Sequence, residues 1–369
     1  MTDDAFYLQR RRRGGVASAA LQPLSIRGRH FVTPDDEIQK LCSWSGFRIG
    51  QVFHTDLPRA REFLAAGRAI GKRMVRWFYT HGAPPYDTWL PPVDFGLVNE
   101  CHHFLREEGF YAHAVGLTCH VESDNDWIAD RRGYLEQCAN TIRDNGHAPY
   151  VLFEIQNEAF KRDLTRDIPA SIFDGLMACR SCYTGTELVD LQWASLHPER
   201  KAPPPEADER KIHDLIEIPF GGPRGIGEPN KASESNPQSY RRQGRLARLL
   251  GEIWTGHDLF DGSIQSCHVP PPDTLKILQA GADGFNDDTV IPANASDGAY
   301  GRDEGAAIQF TLGGPLVGGY GVQHVYFTRL GNDEYGVLTA PSDDFRTEAK
   351  SGWEIVSKVD RECYHARRA

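Results

Sequence analysis

The chain has 369 residues and a mass of 41.3 kDa, enough for two domains, or for one α/β barrel of about 250 residues with a small appendage. Its hydrophobic content of 40% and charged content of 25% exclude a disordered or fibrous chain. The 41 basic and 51 acidic residues leave a net charge of -10, which argues against nucleic acid as a partner and fits an uncharged ligand.

The N-terminal stretch MTDDAFYLQRRRR lacks the apolar run of a secretory signal, and no apolar run approaches the length of a membrane span. No membrane partner is therefore expected, and cytoplasmic residence is the default, with a virion- or particle-associated setting as the alternative. Residues 1–23 read as an arm or linker, and the Arg10–Arg13 run reads as a solvated arm or a contact for an anionic surface. The eight cysteines do not make a disulfide scaffold, and the Cys179/Cys182 pair reads as ordinary thiols because no second C-x-x-C follows.

From residue 24 the pattern opens with short strands and a turn, LSIRGRHFV, TPDDE and IQKLCSWSGFRIG. Helical and strand patterns then alternate. REFLAAGRAI reads as helix and KRMVRWFY as strand; FGLVNECHHFLREEG as helix and YAHAVGLTCH as strand; DWIADRRGYLEQCANTIRDNG as helix and YVLFEIQNEAF as strand. Further strand segments are LMACRSCY, LVDLQWASLH and a short run ending at Gly227-Glu228. SYRRQGRLARLLGEIW reads as a helix and GSIQSCHV as a closing strand. The apolar strand runs suit a sheet covered on both faces, and repeated βα units imply parallel strands with right-handed crossovers. About eight strand segments over residues 45–280 predict a (β/α)8 TIM barrel, with an open doubly wound sheet as the competing arrangement. No dinucleotide or phosphate-loop motif supports a nucleotide fold. The tail reads differently: AAIQFTLGG, GVQHVYFTRL, EYGVLTA and GWEIVSKV are short strands of a small antiparallel β domain. The expected division is therefore an arm at 1–23, a barrel with its leading hairpin at 24–280, and a β domain at 281–369.

Barrel sites gather at the C-terminal strand ends. Those ends offer Arg76, Trp77 and Tyr79; His120; Asn157 and Glu158; His197; and Glu228. Two carboxylates at strand ends are what glycoside hydrolysis needs, one to protonate the leaving oxygen and one to attack or to activate water. Among the aromatics, Trp77 and Trp89 are the favoured wall residues of a cleft, Trp89 because it sits in the Pro-rich segment THGAPPYDTWLPP; core packing is the ordinary alternative for every Trp. The histidine spacings match no known metal site, H-E-x-x-H and G-x-S-x-G are absent, and no cofactor is expected.

FEIQNEAF resembles the Asn-Glu ending of the fourth strand in the cellulase-like clan of retaining barrel glycoside hydrolases, clan A and family 5 in particular. MVRWF resembles that clan's second strand, WASLH its sixth and GIGEPNKA its seventh. The hairpin before the first strand resembles the clan's as well. The resemblance spans about residues 24–270 and implies Glu158 as acid/base, Glu228 as nucleophile, Asn157 as ligand of the sugar 2-hydroxyl, and Arg76 and His197 beside the nucleophile. Two features depart from the clan pattern: the fifth strand is poorly defined, and no Trp stands at the end of GSIQSCHV, where Gln265, Cys267 and His268 are found. The implied activity is double-displacement hydrolysis of a β-linked oligo- or polysaccharide. The alternative is a catalytically silent carbohydrate-binding or structural protein on the same scaffold.

Overall fold

The computed structural model describes residues 21–28, 30–79, 94–117, 130–159, 163–182, 191–196, 222–227, 235–257, 267–287, 300–302, 306–312, 325–330, 332–338, 345–358 and 363–369. A short antiparallel hairpin comes first, β1 (Ser25–Arg27) with β2 (His30–Val32). Nine strand segments then share one parallel sheet: β3 (Leu41–Ser45), β4 (Met74–Phe78), β5 (Tyr111–Leu117), β6 (Val151–Gln156), β7 (Met177–Cys179), β8 (Ser181–Cys182), β9 (Ala194–Leu196), β10 (Arg224–Ile226) and β11 (Ile253–Gly256). The order is β7-β6-β5-β4-β3-β11-β10-β9-β8. Only Arg180 separates β7 from β8; β7 pairs with β6 and β8 with β9. The two pieces are one interrupted strand, and the interruption closes the ring. The expected eight-stranded barrel is the observed fold, and the poorly patterned fifth strand is the broken one.

Every residue of MVRWF, YAHAVGL and VLFEIQ is buried, as strands covered on both faces must be. The alternation of side chains sorts them. Leu41, Met74, Tyr111, Leu152, Met177 and Ile253 form a cluster inside the lower barrel with Leu24 and Phe31 of the hairpin region. Their strand neighbours Cys42, Val75, Ala112, Phe153, Ala178 and Trp254 belong to the outer core beneath the helices. The hairpin region is tied to the barrel base by Leu24 N donating to Pro149 O at 2.8 Å and Tyr111 Oη donating to Gln22 O at 2.8 Å. His30 Nδ1 meets Glu252 Oε1 there at 2.9 Å.

Six helices lie among the described residues: α1 (Ile49–Thr55), α2 (Leu57–Ala69), α3 (Phe95–Glu107), α4 (Arg131–Asp144), α5 (Pro237–Leu250) and α6 (Pro272–Phe285). The side chains of Asp56, Asp94, Asp130 and Asn236 accept backbone N–H groups at the starts of α2, α3, α4 and α5. This is the usual N-cap chemistry, which satisfies donors that a helix start leaves without intrahelical partners. Helices α5 and α6 pack through glycines: a Cβ on Gly244 would strike the backbone of Gly281, and one on Gly284 the backbone carbonyl of Arg241.

Three expectations need correction here. The segment LLGEIW is not all helix. Helix α5 ends at Leu250, Gly251 follows as its C-cap, and Ile253–Gly256 is the closing strand, bonded to β3. The closing strand is thus not GSIQSCHV, whose residues 262–266 lie outside the described residues and whose Cys267 sits in a turn. The expected barrel limit at residue 280 also falls inside α6, which continues to Phe285.

The remaining strands are antiparallel: β12 (Tyr300–Arg302), β13 (Ile308–Leu312), β14 (Val325–Leu330), β15 (Asp333–Leu338), β16 (Phe345–Ala349), β17 (Trp353–Lys358) and β18 (Cys363–Arg368). Five form a sheet in the order β12-β14-β15-β18-β17, and β13 pairs with β16. Val337 and Cys363 join the barrel's outer core, so this sheet is packed on the barrel. No described helix is long and apolar enough to cross a membrane.

Candidate active site

The inward faces of β4, β5 and β6 turn from apolar to polar over one strand repeat. Met74 is followed inward by Arg76, Tyr111 by His113, and Leu152 by Glu154. All three polar side chains are fully buried. Arg76 donates from Nε to Glu154 Oε2 at 3.2 Å and from Nη2 to Glu154 Oε1 at 3.0 Å, a forked contact of the kind that makes Arg–carboxylate pairs strong. The His113 ring meets the same carboxylate, with Nε2 2.6 Å from Oε2. Burial lowers the His113 pKa, with the bond to Glu154 opposing, so the neutral ring donates its Nε2–H to the carboxylate. Ser181 of β8 donates its hydroxyl to Glu154 Oε1.

This network reaches the strand end through Asn157. Arg76 Nη2 donates to Asn157 Oδ1 at 2.8 Å. A guanidinium can only donate, so the contact fixes which end of the amide is oxygen. The other end, Asn157 Nδ2, is buried and has no partner among the described residues. A buried amide donor left unpaired costs free energy unless a ligand or water takes it up. Glu158 follows at once, 8% exposed, with φ of +49°. That left-handed backbone costs a non-glycine residue roughly 1 kcal/mol or more, and such conformations cluster at functional sites. Glu158 is the one residue of this kind at the end of a barrel strand among the described residues.

Above the polar layer sits an aromatic floor. Phe47 and Phe78 meet edge to face at 4.6 Å, and the Arg76 guanidinium lies 5.2 Å from the Phe78 ring. His257, just past β11, is buried beside Phe47, and Ser45 Oγ lies 2.8 Å from its Nδ1. The Tyr240 hydroxyl accepts His257 N–H at 3.0 Å and fixes the backbone there.

The structure thus brings Arg76 against Asn157, with Glu158 next in the chain. It does not bring Trp77 or Tyr79 to them. Residues 77 and 79 have the outward parity of β4, and both side chains are 0% exposed in the outer core. Their rings contact each other at 4.9 Å, and Tyr79 Oη meets His102 Nε2 at 2.5 Å. Both belong to the packing between the barrel and α3. Trp89, His120, His197 and Glu228 lie outside the described residues. The strand that precedes Glu228 is described: β10 ends at Ile226, and Gly227 N–H donates to Leu196 O at 2.9 Å. Sequence reasoning missed Glu154, His113, Ser181 and His257. For the first two a signal existed, because each is a lone polar residue in an apolar strand at the same inward parity as Arg76.

Among the described residues no cluster of His, Cys, Asp and Glu could hold a metal ion. A cavity of about 440 Å³ lies at the opposite end of the barrel, between Ser25 and Leu176, and no titratable side chain lines it.

A solved structure described as a glycoside hydrolase superposes with a TM-score of 0.53 over 94% of this chain and 97% of that one, at 10% sequence identity. A putative glycoside hydrolase from Bacteroides vulgatus superposes with a TM-score of 0.51 over 95% and 83%, at 11% identity. The fold is shared with glycoside hydrolases. No family model matches the sequence, and no curated protein is similar to it.

Proposed function

We infer that the protein is a retaining glycoside hydrolase acting on a β-linked oligo- or polysaccharide, with Glu158 as acid/base and Glu228 as nucleophile. The observation that carries the reading is Asn157. Its oxygen is held by Arg76 and its buried amide donor has no partner among the described residues, one residue before a carboxylate in a left-handed turn at a barrel strand end. A sugar 2-hydroxyl is an acceptor suited to that donor, and a hydrogen bond there strengthens as the ring approaches an oxocarbenium ion.

In the first step, protonated Glu158 gives its proton to the glycosidic oxygen while ionised Glu228 attacks the anomeric carbon. The leaving alcohol departs and a glycosyl ester forms. In the second step, ionised Glu158 takes a proton from water, and the water oxygen displaces Glu228 from the anomeric carbon. The two carboxyl groups are expected about 5–5.5 Å apart. Phe47 and Phe78, nearly buried beneath the site, suit the apolar face of a sugar ring.

The test is turnover of aryl β-glycosides with graded leaving groups. Glu158→Gln is expected to slow poor leaving groups about 10³-fold while sparing good ones in the first step. Glu228→Ala is expected to abolish turnover, and azide to restore it as the inverted glycosyl azide. Unchanged turnover of poor-leaving-group substrates in Glu158→Gln, or of any substrate in Glu228→Ala, contradicts the assignment. A folded wild-type chain that binds oligosaccharide without cleaving it supports the silent scaffold instead.

A further inference from the structure

We propose that Glu154 is a positioning residue of this site: it orients Asn157 through Arg76 and offsets the Arg76 charge below Glu158. The inference rests on the hydrolase reading above.

Glu154 is buried inside the barrel, and three different strands converge on its carboxylate. Arg76 comes from β4, His113 from β5 and Ser181 from β8. A buried carboxylate is costly without partners, and these three contacts meet its two oxygens. The geometry has two consequences. First, Nη2 of Arg76 serves Glu154 and Asn157 together, at 3.0 and 2.8 Å, so the carboxylate fixes the guanidinium plane that in turn fixes the Asn157 amide. Ser181 Oγ adds a longer contact to Asn157 Oδ1 at 3.5 Å. Second, the charges cancel. The Arg76 guanidinium and the Glu154 carboxylate form a fully buried ion pair at 3.0 Å, and Cys179, the register partner of Glu154, is a buried thiol. A catalytic acid must keep its proton at working pH, and an uncompensated guanidinium below it would oppose that.

The step can be broken without touching the reacting atoms. Glu154→Gln keeps the shape, removes the negative charge and leaves Arg76 cationic. It is expected to lower kcat about 100-fold, because a small misplacement of a positioning group has that effect. It should also move both limbs of the kcat/KM–pH profile about one unit to lower pH, because the net positive charge added by the substitution favours the ionised form of each carboxyl. Glu154→Asp keeps the charge, so its limbs stay within a few tenths of a unit of wild type while kcat falls. A Glu154→Gln protein that loses only thermal stability, with both limbs in place, overturns the proposal. A second readout is independent of turnover. With the asparagines labelled with ¹⁵N, the Asn157 side-chain amide, assigned with Asn157→Asp, is expected to shift in Glu154→Gln. An unmoved resonance overturns the positioning role. If wild-type protein is folded but cleaves no glycoside, the hydrolase reading fails, and the Asn157 resonance still decides whether Glu154 positions that residue.

Discussion

Two layers of one barrel interior, separated by a single strand repeat, do opposite things. The lower layer, with Leu41, Met74, Tyr111, Leu152, Met177 and Ile253, is closed underneath by Phe31 and Leu24. The upper layer places Arg76, His113 and Glu154 in the same strands two residues later, joined into one hydrogen-bonded unit. The lower layer is stabilised by burial of apolar area, which is non-directional and tolerates exchange among shapes of similar volume. In the upper layer each group depends on a named partner, because burying an ion alone is costly. A barrel can therefore separate stability from chemistry along its axis, with strand parity aligning the two.

That contrast can be attacked from both sides. The largest stability loss is expected from Arg76→Met, which takes the counter-charge from the buried Glu154 carboxylate: about 3–5 kcal/mol in urea unfolding. Adding Glu154→Leu to it should recover much of the loss, because two apolar groups replace the pair without an orphaned charge. If the double variant is as unstable as the single, the layer is held by something other than the ion pair. In the lower layer, Leu152→Ala is expected to cost about 2–4 kcal/mol through the cavity it leaves, with the pH profile of turnover unchanged. A shifted profile would show that the layers are not separable.

A smaller effect is expected outside the barrel wall. His102 and His147 are buried between α3 and the strands, and burial is the main cause of their lowered pKa values, for His147 to about 4. The unfolded chain binds these protons more readily, so stability is full above the ordinary histidine pKa and declines as pH falls from about 6.5 towards 4. The expected loss is about 1–2 kcal/mol, and His147→Gln should flatten the slope in a pH series of thermal melts. The smallest effect on function belongs to Tyr79→Phe. It removes the contact to His102, and its expected cost of about 1 kcal/mol should leave KM unchanged. A changed KM would return Tyr79 to the substrate cleft.

Much of this fold was legible in the residues. Apolar runs such as MVRWF and VLFEIQ separated by helical patterns can bury both faces only in a covered parallel sheet, and they do. The strand-end residues Arg76, Asn157 and Glu158 were found the same way. What escaped depended on parity and on local breaks. Trp77 and Tyr79 follow Arg76 closely in sequence, yet an odd offset turns them to the outer core. The closing strand was hidden because RRQGRLARLLGEIW keeps a helical rhythm through Gly251, where the helix stops and Ile253–Gly256 begins. Glu154 was overlooked because a charge within an apolar strand reads as an exception until its three partners, from three other strands, are in place.

The claim that Glu228 is the nucleophile of a retaining hydrolase is tested most directly by trapping the intermediate. Protein incubated with activated 2-deoxy-2-fluoro aryl β-glycosides is digested and its peptides are weighed by mass spectrometry. The account predicts one glycosyl adduct, on the peptide containing Glu228, and inactivation in step with its appearance. An adduct on a different carboxylate, or hydrolysis of natural β-glycosides with inversion at the anomeric carbon, would contradict it.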